Sequence, residues 1–258
     1  MQYWHWLLLA SLTFAFAERL RPARRGQPLL RRELAVDLLY LALHGHFWWF
    51  LFGTWIQGTA DRANELLSLP TGAAWLGGLH WILQFLVYAV VADFLQWCVH
   101  NLLHRVPFLW RFHQIHHSAQ AMDWAVNFRF HWIETIVYRS LLYVPLAFLG
   151  GEPSALFAAA VFGTFWGHFN HSNLDLSIGP LAYVFNSPKM HLWHHDASTE
   201  GGPAKNFGIV FSAWDWIFGT AYWPRDREPS RIGFEGDEAV PRNWFGQLAW
   251  PLMRRTPK

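Results

Sequence analysis

Histidines at ligand-like spacing are the residues of this chain whose pattern could perform chemistry. They form one HxxxH box and two HxxHH boxes: His100-x-x-x-His104, His113-x-x-His116-His117 and His191-x-x-His194-His195. On an α-helix, residues i+3 and i+4 lie within about 60° of residue i around the axis. Each box can therefore present its imidazole rings to one side of a helix, as metal coordination requires.

The number of boxed histidines predicts two metal ions rather than one. A catalytic zinc takes three protein ligands and a structural zinc takes four. The three boxes supply eight imidazoles, and His171 adds a ninth candidate. Neutral imidazole suits iron and zinc alike, so the ligand type leaves the metal open. We therefore expect a dinuclear site.

Competing metal motifs are missing from the sequence. There is no HExxH, so a zinc metalloprotease would lack its general base. There is no Glu-x-x-His, which argues against a carboxylate-rich di-iron bundle. The single cysteine, Cys98, excludes an intrachain disulfide and an all-thiolate metal site. For His44, His46 and His80, which stand outside the boxes, we expect hydrogen bonds between helices rather than metal binding.

Acidic residues near the boxes are expected to orient the ligands. A ligating imidazole usually donates its other N–H to a carboxylate or carbonyl, which fixes the tautomer. Asp93 lies two helical turns before His100, on the same helix face, and Glu134 and Asp196 are similar candidates. For Asp196, an ordinary capping role fits the pattern equally well. His131 is expected beside the metal site rather than at the metal.

Composition and apolar runs predict an integral membrane protein. Hydrophobic residues make up 53% of the 258 residues, and only 15% are charged. Four apolar stretches cover residues 4–17, 34–56, 73–99 and 136–169. The first is short for a full span, and the run Gly150-Gly151-Glu152-Pro153 predicts that the fourth folds as a helical hairpin. The net charge of +2 carries no nucleic-acid signature.

Arginines between the first two stretches predict the orientation in the membrane. The segment contains Arg19, Arg21, Arg24, Arg25, Arg31 and Arg32. An excess of arginine in a short loop marks the cytoplasmic side. Counting spans from that side places every histidine box at the cytoplasmic face. The predicted fold is therefore all-α, with about four membrane helices and a cytoplasmic helical cap that holds the His-rich dinuclear site.

About half of the chain resembles the fatty acid hydroxylase superfamily, often called the sterol desaturase family. The resemblance runs, in order, through DFLQWCVHNLLH (93–104), LWRFHQIHHS (109–118), RFHWIE (129–134), HSN (171–173), SPKMHLWHH (187–195) and KNFG…WDWIFGT (205–220). The first ninety residues resemble the family only as apolar spans. Asn101 stands where the family often has Arg, and Trp132 where it often has Pro; neither departure removes a ligand.

The resemblance implies a membrane enzyme that uses O₂ and external electrons to hydroxylate, or sometimes desaturate, an unactivated C–H bond of a lipid. It implies two iron ions, which zinc may replace on purification, and a separate electron-donor protein. It names nine ligands and an uncertain tenth, with no catalytic residue beyond them: His100, His104, His113, His116, His117, His171, His191, His194 and His195, and then His168.

The apolar stretches, the arginine segment and the resemblance together predict a domain order and a location. Residues 1–90 are expected to form membrane anchor helices, 91–220 the fatty acid hydroxylase-like catalytic domain, and 221–258 a C-terminal cytoplasmic tail. The expected location is a bacterial inner membrane or an ER-type membrane, with the active site on the cytoplasmic face.

Two alternatives use the same histidines differently. A zinc-dependent membrane hydrolase would act without O₂ or a reductant. A non-enzymatic metal or haem carrier would need no lipid pocket. The sequence specifies neither the lipid, nor hydroxylation against desaturation, nor the electron donor, nor the oligomeric state.

Overall fold

The computed structural model describes residues 2–43, 58, 62, 76–198 and 205–253. Over these ranges the chain is all-helical, without a β-strand, which confirms the predicted fold class at that level. The α-helices are α1 (Tyr3–Leu20), α2 (Leu34–Ala42), α3 (Trp81–Arg105), α4 (Pro107–His117), α5 (Trp132–Ala147), α6 (Pro153–His171), α7 (Pro188–His194), α8 (Ala213–Phe218) and α9 (Trp244–Met253).

Helices α3, α5 and α6 form the scaffold beneath the histidines. Their shared apolar core includes Tyr88 and Ala89 of α3, Leu142 of α5, and Ala155 and Ala159 of α6. Alanines on α6 let the helix backbones approach closely, as in membrane helix pairs. The C-terminal ends of α3 and α6 and the N-terminal end of α5 lie on the side of this scaffold where the histidine boxes are.

The break predicted inside the fourth apolar stretch is present. Helix α5 ends at Ala147 and α6 begins at Pro153, a residue suited to the first turn of a helix. The Gly151 N–H donates to the Tyr88 hydroxyl at 2.8 Å, and the Glu152 N–H donates to Gln84 Oε1 at 2.6 Å. These bonds fasten the tip of the hairpin to α3.

One helix of the described ranges, α3, is both long and apolar enough to cross a membrane. Its 25 residues extend over about 37 Å at the usual helical rise. It also runs through residue 90, the expected boundary between anchor and catalytic domain. The part of the second apolar stretch that contains His44 and His46 lies outside the described residues.

A sharp turn after α3 folds the second histidine box back over the first. Val106 has an extended conformation (φ −95°, ψ 111°), which is the conformation that the following Pro107 favours. Pro107 then begins α4, and α4 packs against α3. The third box lies on the short helix α7, which packs against α6.

The arginine-rich segment after α1 is built into the protein. Arg31 is buried and pairs with Asp37 at 2.6 Å and with Asp123. The Arg24 N–H donates to Asn173 Oδ1 at 2.9 Å, two residues after the end of α6. The segment therefore lies at the same end of α6 as His171, and the charge of Arg31 is used in buried ion pairs.

Candidate metal centre

All nine expected ligands converge, and they do so as two groups. We call them the five-histidine group and the four-histidine group. The first contains His100, His104, His113, His117 and His194, and the second contains His116, His171, His191 and His195. Within each group the potential ligand atoms lie within 4.8 Å of one another, and every ring except the half-buried His104 is buried.

Each HxxHH box is divided between the groups. Helix α4 contributes two rings to the five-histidine group and one to the four-histidine group, and α7 contributes one and two, counting His195 at its C-terminal cap. The HxxxH box on α3 belongs entirely to the five-histidine group, while His171 at the end of α6 belongs to the other.

Two rings of the five-histidine group are oriented by backbone carbonyls of one loop. His100 Nδ1 donates to Phe207 O at 2.9 Å, and His194 Nδ1 donates to Lys205 O at 2.7 Å. The Nε2 atoms of both rings are buried and have no hydrogen-bond partner within the described ranges. Because Nδ1 carries the proton, each Nε2 offers a lone pair to the centre of the group.

Two further rings are oriented by acceptors within the scaffold. His113 Nδ1 donates to Glu134 Oε1 at 2.6 Å, and His171 Nδ1 donates to Gly167 O at 2.7 Å. His113 and Glu134 are both almost fully buried. The expected role of Glu134 beside a ligand therefore agrees with its position.

Some of the remaining ring nitrogens lie close to one another, and others have no hydrogen-bond partner among the described residues. His171 Nε2 lies 3.2 Å from His116 Nε2 and 3.2 Å from His191 Nε2. Since His171 donates through Nδ1, its Nε2 has no proton, and its one lone pair can accept a full hydrogen bond from only one of these two neighbours. Both ring nitrogens of the buried His195 also lack a partner among the described residues. This donor set fits metal ions, which satisfy several imidazole lone pairs at once.

Burial keeps these imidazoles neutral. Burial first, and then the neighbouring histidines, hold the pKa of His116 and of His195 well below the ordinary value. Neutral imidazole is the form that binds a metal, because a protonated ring has no lone pair to give. The electrostatics of the site therefore favour ligation at neutral pH.

Two acidic residues that were expected to contact the ligands, Asp93 and Asp196, contact the loop behind the ligands instead. Asp93 accepts from Val210 N at 2.7 Å, from Phe211 N at 2.9 Å and from Trp214 Nε1 at 3.0 Å. Asp196 accepts from Lys205 Nζ at 3.0 Å. Both carboxylates thus hold the loop whose carbonyls orient the histidines, rather than the rings themselves.

His131 and His80 are helix caps. His131 Nδ1 accepts from Ile133 N at 3.2 Å at the start of α5, and its Nε2 donates to Leu248 O at 2.9 Å. Both of its ring nitrogens are therefore occupied away from the two groups. His80 Nδ1 accepts from Ile82 N at 3.3 Å at the start of α3, a local contact in place of the expected bond between helices.

His168, the uncertain tenth ligand, belongs to neither histidine group. Its Nδ1 donates to Thr164 O at 3.0 Å, and its Nε2 lies 3.2 Å from the Ser11 hydroxyl. The ring also stacks on Trp124 with centroids 5.8 Å apart. His168 therefore connects α6 to α1.

No role was predicted for Asp215 from the sequence, although this residue orders the loop behind the site. This buried carboxylate accepts from the N–H groups of Phe207 and Gly208, both at 2.8 Å, and from Trp97 Nε1 at 3.0 Å. A Cβ atom on Gly208 would collide with the Phe211 carbonyl, so the turn requires glycine. The sequence signal for this contact was the presence of both KNFG and WDWIFGT, because the first contains Gly208 and the second contains Asp215.

A cavity of about 150 Å³ extends from the histidines between α3, α5 and α6. Residues of both histidine groups line one end of it, with Glu134 beside them. Further along, Gln96 accepts from the Tyr138 hydroxyl at 3.0 Å, and beyond Arg139 and Thr164 the wall becomes mostly aliphatic. The lining includes Ala92, Gln96, His100, His113, His116, Glu134, Tyr138, Arg139, Leu142, Leu146, Leu156, Gly163, Thr164, His171 and His191.

Named relatives of this chain are lipid hydroxylases and monooxygenases. It is 36% identical over 177 residues to the ornithine lipid hydroxylase OlsE of Rhizobium tropici, covering 68% of this chain and 52% of that protein. It is 28% identical over 184 residues to alkylglycerol monooxygenase of Caenorhabditis elegans, covering 71% and 34%. The human alkylglycerol monooxygenase is 30% identical over 157 residues, covering 60% and 33%.

The matched regions span about half of the first relative and about a third of the other two. No solved structure matches this chain. The family model described as fatty acid hydroxylase matches residues 85–220, a region that contains both histidine groups and the loop behind them. The chain therefore belongs to the fatty acid hydroxylase family.

Proposed function

We propose that this protein is a membrane-bound di-iron oxygenase that hydroxylates, or desaturates, an unactivated C–H bond of a lipid, using O₂ and external electrons. The observation that supports this most directly is the meeting of nine histidines, in two groups, at the end of a largely apolar cavity. A lipid chain in that cavity would lie against the metal centre and away from bulk water.

The size of the larger histidine group favours iron over zinc. Five imidazoles exceed the four ligands of a structural zinc and the three of a catalytic zinc. A zinc hydrolase would also need a general base beside the metal. Glu134, the carboxylate next to the histidines, is instead bonded to His113 at 2.6 Å. These two observations weigh against the hydrolase alternative.

When bound, two iron ions would supply the activation of O₂ that cleavage of a C–H bond requires. The residues of the chain would hold the two ions and orient the imidazole ligands. His113, His171, His100 and His194 keep fixed tautomers through their Nδ1 bonds, so that reorganisation during the reaction is small. The aliphatic wall excludes water from the reacting carbon.

The substrate and the electron supply are proposed from chemistry. OlsE is named for an ornithine lipid and the alkylglycerol monooxygenases for alkylglycerols, so we extend a lipid substrate to this chain. Imidazole and carboxylate groups do not donate electrons, so the electrons would come from a separate donor protein.

The membrane arrangement rests on apolar surfaces and on the arginine segment. Helix α3 is long enough for a span, and α1 exposes Leu12 and Phe16 by 60% and 63%. Exposed apolar faces of this kind are typical of lipid contact. We propose about four membrane helices with the metal centre on the cytoplasmic face, since the arginine segment contacts the end of α6. The anchor (1–90), catalytic (91–220) and tail (221–258) divisions belong to this proposal.

The test begins with metal content. Protein purified in detergent from iron-supplemented cells should hold two irons per chain by elemental mass spectrometry. His104→Ala and His191→Ala should lower that number, because each removes one ring from a different group. His80→Ala, which changes an exposed helix cap, is the matched control. Full metal content in both ligand variants would contradict the ligand assignment.

The second experiment identifies the reaction. The protein is incubated with a total lipid extract, a chemical reductant and ¹⁸O₂, and lipid products are examined by mass spectrometry. Hydroxylation predicts ¹⁸O in the product, and desaturation predicts a loss of two hydrogens that needs O₂. Product formation under nitrogen would support the hydrolase. Two bound metals with no O₂ consumption would support the carrier.

A further inference from the structure

The position of a residue along the helices that line the cavity shows how far that residue lies from the metal centre. Helix α5 starts at the site with Glu134, and Arg139 follows five residues later, about 7.5 Å along the axis. On the same helix, Leu146 lies about 18 Å from Glu134. Helix α6 runs the opposite way, so that Thr164 lies about 10 Å before His171 along its axis.

The part of the cavity nearest the histidines contains polar side chains beside Phe128, Phe130 and Ile209. Gln96 precedes His100 by one helical turn and accepts from Tyr138. At the next level, Arg139 contributes the only cationic side chain of the described cavity lining apart from its histidines. The Thr164 hydroxyl lies there as well, donating to Ala160 O at 2.9 Å and accepting from the Tyr3 hydroxyl at 2.6 Å.

The far part of the cavity is mostly aliphatic. Apart from Tyr143, its lining consists of Leu142, Leu146, Leu156 and nearby alanines. An aliphatic chain fits this end, since a polar head placed among these side chains would lose hydration.

From this order of polar and apolar walls, we propose that the cavity binds an acidic amphiphile with its head beside the metal centre, its alkyl chain pointing away and Arg139 paired with the acidic group. Arginine suits this role because its planar fork binds carboxylate and phosphate oxygens in pairs. The reacting carbon would then lie within a few bonds of the head group. This inference rests on the proposed function and adds to it the substrate class and the oxidised end of the molecule.

The first experiment measures binding without turnover. Full-length protein in a neutral maltoside detergent is titrated with decyl phosphate and with decan-1-ol. Wild type should bind the phosphate more tightly. Arg139→Gln should weaken phosphate binding about 10- to 100-fold and change decanol binding little, since a charged hydrogen bond is lost. Arg139→Lys should recover part of the loss.

The matched control is Arg242→Gln, which removes an exposed arginine elsewhere. Unchanged metal content and melting temperature show that each variant is folded. Equal binding of the phosphate by wild type and Arg139→Gln would overturn the assignment of Arg139. So would equal affinity of wild type for the phosphate and the alcohol.

The second experiment tests orientation. With paramagnetic Co²⁺ in the metal centre, the protons on the carbon next to the phosphate should relax faster than the terminal methyl protons. Faster relaxation of the methyl group would overturn the proposed orientation. These readouts are independent of the reaction: correct binding without O₂-dependent product would refute the proposed function alone, and lipid hydroxylation without Arg139-dependent binding would refute this inference alone.

Discussion

The hydrogen bond between His113 and Glu134 predicts how strongly a residue behind a ligand controls metal affinity. The two atoms, Nδ1 and Oε1, are 2.6 Å apart, and the two side chains are 2% and 1% exposed. Bulk water therefore does not compete with this hydrogen bond. We consider two substitutions, Glu134→Gln, which keeps a neutral acceptor, and Glu134→Ala, which removes it.

The expected magnitudes follow from the kind of bond that remains. A hydrogen bond to a charged group contributes about 1.5–3 kcal/mol and a neutral one about 0.5–1.5 kcal/mol. Glu134→Gln should therefore cost about 1 kcal/mol, or roughly five- to tenfold in metal affinity. Glu134→Ala leaves a buried N–H without a partner and should cost about 1–3 kcal/mol, up to about 100-fold.

The assay is competition between the metal-loaded protein and a chelator of known affinity. Thermal unfolding of the metal-free variants separates loss of metal affinity from loss of the fold. Glu235→Gln, which changes an exposed carboxylate, is the matched control and should bind metal like wild type. Wild-type metal affinity in Glu134→Ala would refute the reasoning, because His113 would then not depend on its partner.

Three further outcomes are expected. Gly163→Phe should abolish lipid turnover with full metal content, because its side chain would fill the cavity; Gly163→Ala should be tolerated, since an added Cβ meets only Gln96 Nε2 at 3.8 Å. His168→Ala should keep two metals by elemental mass spectrometry yet lower the free energy of unfolding by about 1–3 kcal/mol, because buried partners on α1 and α6 are left unpaired; a loss of metal would return His168 to the ligand set. Burial raises the pKa of Glu18, just beyond the apolar stretch 4–17, from 4.5 to about 7. Its protonated form is thus favoured in the folded state, and wild-type stability should fall by up to about 3 kcal/mol between pH 5 and pH 8. Glu18→Gln should remove that dependence in unfolding measurements at the two pH values, and an equal slope in both proteins would contradict it.

Spacing within a helix was the part of the site that the sequence could predict. The boxes fixed which rings share a helix face, and the glycine–proline run fixed where the fourth apolar stretch breaks. Glu134 could be proposed as one of the acidic residues near the histidine boxes. These features are local, so a single chain segment contains the information.

Contacts between distant segments could not be predicted in the same way. The backbone partners of Asp93 are in a loop more than a hundred residues further along the chain, and no local pattern identifies that loop. His168 is three residues before His171, yet α1 packs beside it, and the His168 ring contacts Ser11 of α1 instead of the histidine groups. His131 and His80 cap helices, a role in which serine, threonine, asparagine and aspartate are the usual residues.

The division of each HxxHH box between the two histidine groups makes the two metal positions interdependent. Helices α4 and α7 must be in place before either group is complete. The first ion to bind would immobilise both helices and so remove most of the conformational freedom that the second ion would otherwise have to restrict. Metal uptake should then be positively cooperative: on addition of ferrous iron the population passes from empty chains to doubly loaded ones, and singly loaded chains stay scarce in native mass spectra.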